Sequence, residues 1–315
     1  MMNQTKRLTD GAIMVVLYLV LLVVSFFIPY LVIVAYFVLP LPFIIYAYRY
    51  DWKPAVIMLL AAAIIASLFA TVFSLPTTVI AGIGGIMIGA AMHRNTPGFE
   101  TLARGTVGVV VGLLFAYLFA QFVTGIDFSE KFDQLLDESI TNSQHVMGQL
   151  GMDKGMDQQF EMLRKQFEAF KLLIPSMMVI MSLLIAWISQ LLGYKVINRL
   201  EHKQFHFPPF RSMQFPVAIV WIYFFALVIS LFGPSQQSLL FSGVQNVLFL
   251  AGTLMMLQGL SFVFFYAHAK HITKAMPIIV IVLLLIIPTI LLPLVRILGI
   301  IDIGFGLRNI IAKKK

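Results

Sequence analysis

From Gly11 to Ala47 the chain runs for roughly 37 residues without one charged side chain, where about 20 apolar residues cross a bilayer core as a helix. No water-soluble domain exposes such a stretch, and its length suits two spans better than one. Pro29 lies near its centre, Lys6 and Arg7 flank one end, and Arg49 and Lys53 flank the other. With bases at both ends, the positive-inside rule folds the block into a hairpin that turns near Pro29. The final apolar block, Ala275 to Ile311, mirrors it. Pro288 and Pro293 interrupt that block, and Lys313, Lys314 and Lys315 follow it. A hairpin there returns the basic tail to the side on which the chain began.

Between these blocks lie further apolar runs at Pro54–Phe73, Thr77–Met92, Gly105–Val123, Pro175–Leu192, Pro216–Phe232 and Val244–His268. The composition agrees: 60% of residues are hydrophobic and 11% are charged, where a soluble domain carries about 25% charge. The expected fold class is all-α, a polytopic α-helical membrane protein. It has about ten transmembrane segments, or eight if each end block counts once, with an extracytoplasmic helical insertion. The first apolar run has no small-residue cleavage site after it and does not read as a signal peptide.

Charge sets the expected orientation. Lys131, Lys154, Arg164, Lys165 and Lys171 belong to one long polar stretch, Arg296 falls within the last block, and the other bases sit in short connectors or tails at the opposite side. Both termini are therefore expected to be cytoplasmic. The net charge of +8 is spread over those connectors, which suits orientation rather than nucleic-acid binding. The outer stretch, Gly125–Lys171, holds nine acidic and five basic residues. Phe128, Phe132, Leu135 and Leu136, then Phe160, Leu163, Phe167 and Phe170, follow helical spacing. Two amphipathic helices are expected, separated by Gly148, Gly151 and Gly155. They form either a cap on the bundle or a partner-docking element. Three parts follow: residues 1–193, a six-span bundle carrying the outer helices at about 125–171; residues 194–213, a basic connector; and residues 214–315, a bundle of about four segments.

Several stretches carry a resemblance. Leu8-Thr9-Asp10-Gly11-Ala12 leads into the first span, and Leu39-Pro40-Leu41-Pro42 is followed by Tyr48-Arg49-Tyr50. Pro208-Pro209-Phe210-Arg211 precedes Pro216, Gln258-Gly259-Leu260 lies in a later span, and Gly299-Ile300-Ile301-Asp302 then Arg308 closes the chain. In order and spacing they resemble the YybS family of bacterial predicted membrane proteins, which implies the bacterial plasma membrane as location. The first six spans also resemble, more distantly, the substrate-binding components of energy-coupling-factor transporters. Those components bind a vitamin or metal ion and couple through an alanine pair on the first helix. Ala12 stands at the first of those places and Val16 at the second.

Ionisable residues within a membrane are costly and mark candidate sites. Arg296 and Asp302 stand out, with Asp302 expected near the middle of the last segment and Arg296 nearer its outer end. Six residues apart, they are about 120° apart around a helix and do not pair directly. They form either a proton, ion or anion site or a structural set in which Asp302 caps a helix start. Thr71, Ser74, Thr77 and Thr78 cluster at one junction, and with the intraspan amides Gln121, Gln245 and Asn246 they complete the candidate ligand-binding set. Ser182, Ser189, Gln190 and Gln258 read as interhelical glue. Gly82, Gly84, Gly85 and Gly89, with Gly108 and Gly112, carry GxxxG spacing that packs the fourth and fifth spans closely. His202 and His206 face one metal only if they lie on a helix, and no third ligand is evident.

The sequence has no cysteine, hence no disulfide, thiolate metal site or cysteine nucleophile. It also shows no Ser-His-Asp order, HExxH, Walker lysine or paired carboxylates. No enzyme, metal or cofactor is expected. The expected partners are the lipid bilayer, a small solute, and a membrane protein partner or second copy of the chain. The leading functional expectation is small-solute binding or a transport-related role; the alternative is a non-transporting membrane scaffold or regulatory protein.

Overall fold

The computed structural model describes residues 4–28, 30, 32–125, 127–149, 157–233, 235, 238–273 and 275–313. Pro29, Gly151, Lys154, Gly155, Lys314 and Lys315, which carried expectations above, lie outside these residues. Among the described residues every regular element is helical. Eight helices are long and apolar enough to cross a membrane, and two further apolar helices, Ala218–Leu231 and Ala275–Ile286, are shorter.

The chain forms two compact units: Met1–Glu168 with Met177–Phe207, and Ala169–Ser176 with Pro208–Lys315. The elements in order are α1 (Gln4–Phe27), α2 (Val32–Val38), α3 (Leu41–Tyr50), α4 (Trp52–Ala70), α5 (Leu75–His93), α6 (Gly98–Phe119), α7 (Phe128–Gln149), α8 (Asp157–Leu172), α9 (Ile174–Glu201), α10 (Ala218–Leu231), α11 (Leu239–Ala269), α12 (Ala275–Ile286), α13 (Pro288–Phe305) and α14 (Leu307–Lys313). The opening block is two spans. The second, Ile33–Tyr50, is broken at Leu39–Pro40 because a proline ring clashes with the preceding turn.

In unit 1, α5 is the hub, and its glycines set which helices approach it. A Cβ on Gly84 would stand 2.7 Å from the Val109 side chain, one on Gly108 2.9 Å from the Ile83 carbonyl, and one on Gly112 2.6 Å from the Ile80 Cα. Backbone meets backbone between α5 and α6, as the glycine spacing predicts. Gly85 and Gly89, however, face α3: a Cβ on Gly85 would lie 2.6 Å from the Pro40 carbonyl oxygen, and Gly89 abuts the Ile44 carbonyl. The four-residue spacing is right, but that pair belongs to a different neighbour. Gly84 and Gly85 are about 100° apart around the helix, so one helix serves two partners. Without a hydrophobic drive between helices in lipid, such close approach supplies the packing energy.

The expected outer helices are α7 and α8, joined by the Phe132–Phe167 ring contact at 6.4 Å and an Arg164–Asp137 ion pair. At one rim of unit 1, Arg49 binds Glu201 at 2.7 Å and Asp10 at 3.4 Å, Tyr50 donates to Asp10 at 2.7 Å, and Arg94 reaches Asp51 at 3.4 Å.

Unit 2 is built on α11 and α13. Gly252 meets Arg296, Met255 meets Gly299, Gln258 meets Asp302 and Ser261 meets Arg308. Both numbers rise together, so the helices run parallel. α12 must therefore carry the chain back between them, and the last apolar block is a helical hairpin that turns at Ile287. The 12 residues of α12 span about 18 Å, short of a bilayer core of about 30 Å.

Candidate functional site

The C-terminal end of α13 is where the charge is buried. Gly306 ends the helix in the left-handed conformation (φ +60°), and its N–H donates to the Asp302 carbonyl. A glycine reaches this conformation without a Cβ penalty. The turn starts α14 in a new direction, so Arg308 folds back onto the carboxylate six residues before it. Asp302 is fully buried, and Arg308 is 8% exposed. Asp302 thus lies in the last turn of its helix. It is neither at mid-segment nor at a helix start, because the glycine stops α13 directly after it.

Asp302 Oδ2 accepts from Gln258 Nε2 at 2.6 Å and Arg308 Nε at 2.9 Å. Arg308 Nη2 donates to Ser261 Oγ at 3.0 Å, Nη1 donates to the Arg211 carbonyl at 2.8 Å, and the guanidinium sits 5.3 Å over the Phe265 ring. Ser261 and Gln258, both fully buried, tie the network to the segment before α10. The Ser261 hydroxyl lies 2.8 Å from the Phe210 carbonyl and 2.9 Å from that of Met213, and Gln258 Oε1 accepts from Phe215 N–H at 3.0 Å. Among the described residues three buried side-chain atoms have no hydrogen-bond partner: Asp302 Oδ1 and Arg296 Nε in unit 2, and Gln190 Oε1 in unit 1. Arg296 Nη1 donates to Tyr223 at 3.3 Å, with its guanidinium 5.8 Å over that ring and packed against Gly252, where a Cβ would stand 3.0 Å from it.

A cavity of about 580 Å³ abuts this network, lined among others by Phe210, Arg211, Phe264, His268, Pro277 and Ile278. It shares Phe210 and Arg211 with the network, whose backbone carbonyls Ser261 and Arg308 hold.

The candidate residues from the sequence are distributed over both units. In unit 1, Ser74 and Thr78 are buried in a local chain. Tyr18 donates to Thr78 Oγ1 at 2.7 Å, Thr78 donates to the Ser74 carbonyl at 2.9 Å, and Ser74 Oγ donates to the Thr71 carbonyl at 2.8 Å. Thr71 itself is exposed at φ +88°, a strained conformation for a β-branched residue. Thr77 is half-buried, and Gln121 is exposed in the π-helical turn Ala120–Thr124. In unit 2, Gln245 is half-buried. Asn246 is bonded on every side: its Oδ1 accepts from Ser176 N–H at 3.0 Å and Oγ at 2.6 Å, and its Nδ2 donates to the carbonyls of Leu172 at 2.8 Å and Ser242 at 2.9 Å.

Arg296 and Asp302 do not pair, as their helical spacing predicts. The partners of Asp302 are Arg308, Gln258 and, through them, Ser261. The sequence signal for Arg308 is Gly306, a helix-stopping glycine placed between an acid and a base. His202 and His206 share no helix face, since α9 ends at Glu201 and His202 turns to φ +52°. Among the described residues no three His, Cys, Asp or Glu side chains converge to hold a metal.

The family model described as Predicted membrane protein (DUF2232) matches residues 16–303. The Uncharacterized protein YybS of Bacillus subtilis (strain 168) is 26% identical over 308 residues, covering 98% of this chain and 99% of that protein. No solved structure matches the chain.

Proposed function

The chain belongs to the DUF2232 family of predicted membrane proteins, and from that premise we propose that it is a non-enzymatic, transport-related protein that binds a small solute in unit 2. One observation carries this reading: the cavity of about 580 Å³ is lined by Phe210 and Arg211, whose backbone carbonyls are held by Ser261 and Arg308, and Arg308 pairs with a buried carboxylate that keeps one oxygen unpartnered. Burying a carboxylate and a guanidinium is favourable only when their remaining polar atoms are satisfied. A buried polar atom without a partner calls for an explanation, and Asp302 Oδ1 belongs to a charged group whose other oxygen accepts two hydrogen bonds. A proton, small cation or donating solute group satisfies Asp302 Oδ1, and an accepting solute group satisfies Arg296 Nε. A solute in the cavity presses on the segment that Arg308 and Ser261 hold, and so couples its own binding to the state of Asp302.

Three further elements belong to this proposal. The basic rim of unit 1 faces the cytoplasm of a bacterial cell, with both termini on that side. A membrane partner on α1 is the second element: Ala12 is exposed at the first coupling position of the transporter components that the first six spans distantly resemble, while Val16, also exposed, departs from the alanine at the second. The solute is of the vitamin, metal-ion or nucleotide size that the cavity accommodates.

The test is thermal stability of the purified, lipid-reconstituted protein against a panel of vitamins, metal ions and nucleotides. A ligand at 100 times its Kd stabilises by about 2.7 kcal/mol, a clear shift in Tm. Stabilisation that is lost in Arg211→Ala, with the fold intact, supports the reading. No shift with any member of the panel overturns it.

A further inference from the structure

The charged rim of unit 1 is concave. Two abutting cavities, of about 630 Å³ and about 290 Å³, share Arg49, Tyr50 and His93. The larger adds Lys6 and Lys203, and the smaller adds Arg7. Two carboxylates also line the larger cavity, Asp10 and Glu201, and both are taken by Arg49; Asp10 accepts the Tyr50 hydroxyl as well. Arg49 is thereby fixed in place and largely neutralised. Lys6, Arg7 and Lys203 make no ion pair among the described residues. His93 Nδ1 lies 2.6 Å from the Tyr48 carbonyl. A carbonyl only accepts, so Nδ1 carries a proton and Nε2 is the nitrogen left for another partner. Positive-inside bias explains bases scattered along a rim. It does not explain why uncompensated bases from α1 and from the segment after α9 converge on one hollow whose own acids are already committed.

We propose that this cleft binds a phosphate-bearing anion, with Lys6, Arg7 and Lys203 as its charge partners and His93 Nε2 as an added donor when the ring is protonated. The phosphodiester headgroup of an anionic phospholipid is the source its position favours. The apolar part of α1 begins at Gly11, directly after Asp10, and α3 is apolar up to Ala47, so the cleft lies at headgroup depth. Basic pockets between helices at that depth take anionic headgroups. A soluble phosphate compound offers the same chemistry.

The experiment uses the purified full chain in a non-ionic detergent. Native mass spectrometry reads occupancy on titration with phosphatidylglycerol or phosphatidylcholine, and thermal stability is read with inorganic phosphate. The variants are Lys6→Gln/Lys203→Gln, the charge-retaining Lys6→Arg/Lys203→Arg, and Lys53→Gln/Lys195→Gln, which removes two rim charges outside the cleft. Selective phosphatidylglycerol binding is expected, weakened at least about tenfold in the first variant, retained in the second and changed less than about twofold in the third. Stabilisation by inorganic phosphate that only the first variant loses, without phosphatidylglycerol binding, keeps the site and assigns it a soluble ligand. Equal losses in both glutamine variants, or no response to either probe, overturns the proposal.

Discussion

Two close helix pairs do the packing in the two units, and they are built differently. In unit 1, α6 lies on α5 through Gly84, Gly108 and Gly112, and the nearby polar contacts are neutral hydroxyls such as Tyr18 on Thr78. In unit 2, α13 lies on α11 through Gly259 and Gly299, where added Cβ atoms would collide with the Val295 and Met255 carbonyl oxygens. That pair also buries Asp302, Arg308 and Gln258 at one end. Close backbone approach supplies packing energy between two helices in lipid, and the first pair relies on it. The second pair carries a desolvation cost that packing does not require, and the proposed ligand response is a role that accounts for it.

The largest expected effect tests that contrast directly. Asp302→Asn leaves Arg308 buried without a countercharge and destabilises unit 2 by about 3–5 kcal/mol, whereas replacing both, as Asp302→Leu/Arg308→Met, restores most of the loss. Thermal unfolding of the reconstituted single and double variants measures both. Equal damage in single and double variants would break the pairing.

Next come the glycines. Gly299→Val forces a side chain into a backbone carbonyl that cannot move, and costs about 3 kcal/mol or more. Gly84→Val meets mainly the Val109 side chain, which is buried and stiff at χ1 but is not backbone, and costs nearer about 2 kcal/mol. Monodispersity on size exclusion and Tm rank the two; a reversed order would contradict the packing described for both pairs. Smaller again is Tyr18→Phe, which removes one interhelical hydrogen bond from α1 and α5 and costs about 0.6 kcal/mol. The smallest is Arg104→Gln. Its exposed i,i+4 pair with Glu100 contributes about 0.5 kcal/mol or less, and the melting curve should barely move.

Much of the fold was legible before any coordinates, because bilayer thickness and uncompensated charge constrain a chain strongly. The uncharged run Gly11–Ala47 and the spacing of Phe128, Phe132, Phe167 and Phe170 each named their elements. The partner of a given face was less legible. Gly85 and Gly89 have the same spacing as Gly108 and Gly112, yet they face α3, since spacing reveals that a helix is approached closely and not by which neighbour. The site was half legible. Arg296 and Asp302 stand out as charges inside an apolar block. Arg308 looked like part of a basic tail, because its return to Asp302 depends on the turn at Gly306 and on α11 and α13 running parallel. Gln258 and Ser261 join for the same long-range reason.

The central claim is that the Asp302–Arg308 pair responds to a ligand held in unit 2 rather than merely fastening α13. The direct measurement takes any panel ligand that stabilises the native protein and repeats the titration on Asp302→Leu/Arg308→Met, reading Tm and affinity side by side. The account predicts a folded double variant whose ligand-induced shift is abolished. An unchanged shift in that variant would contradict it.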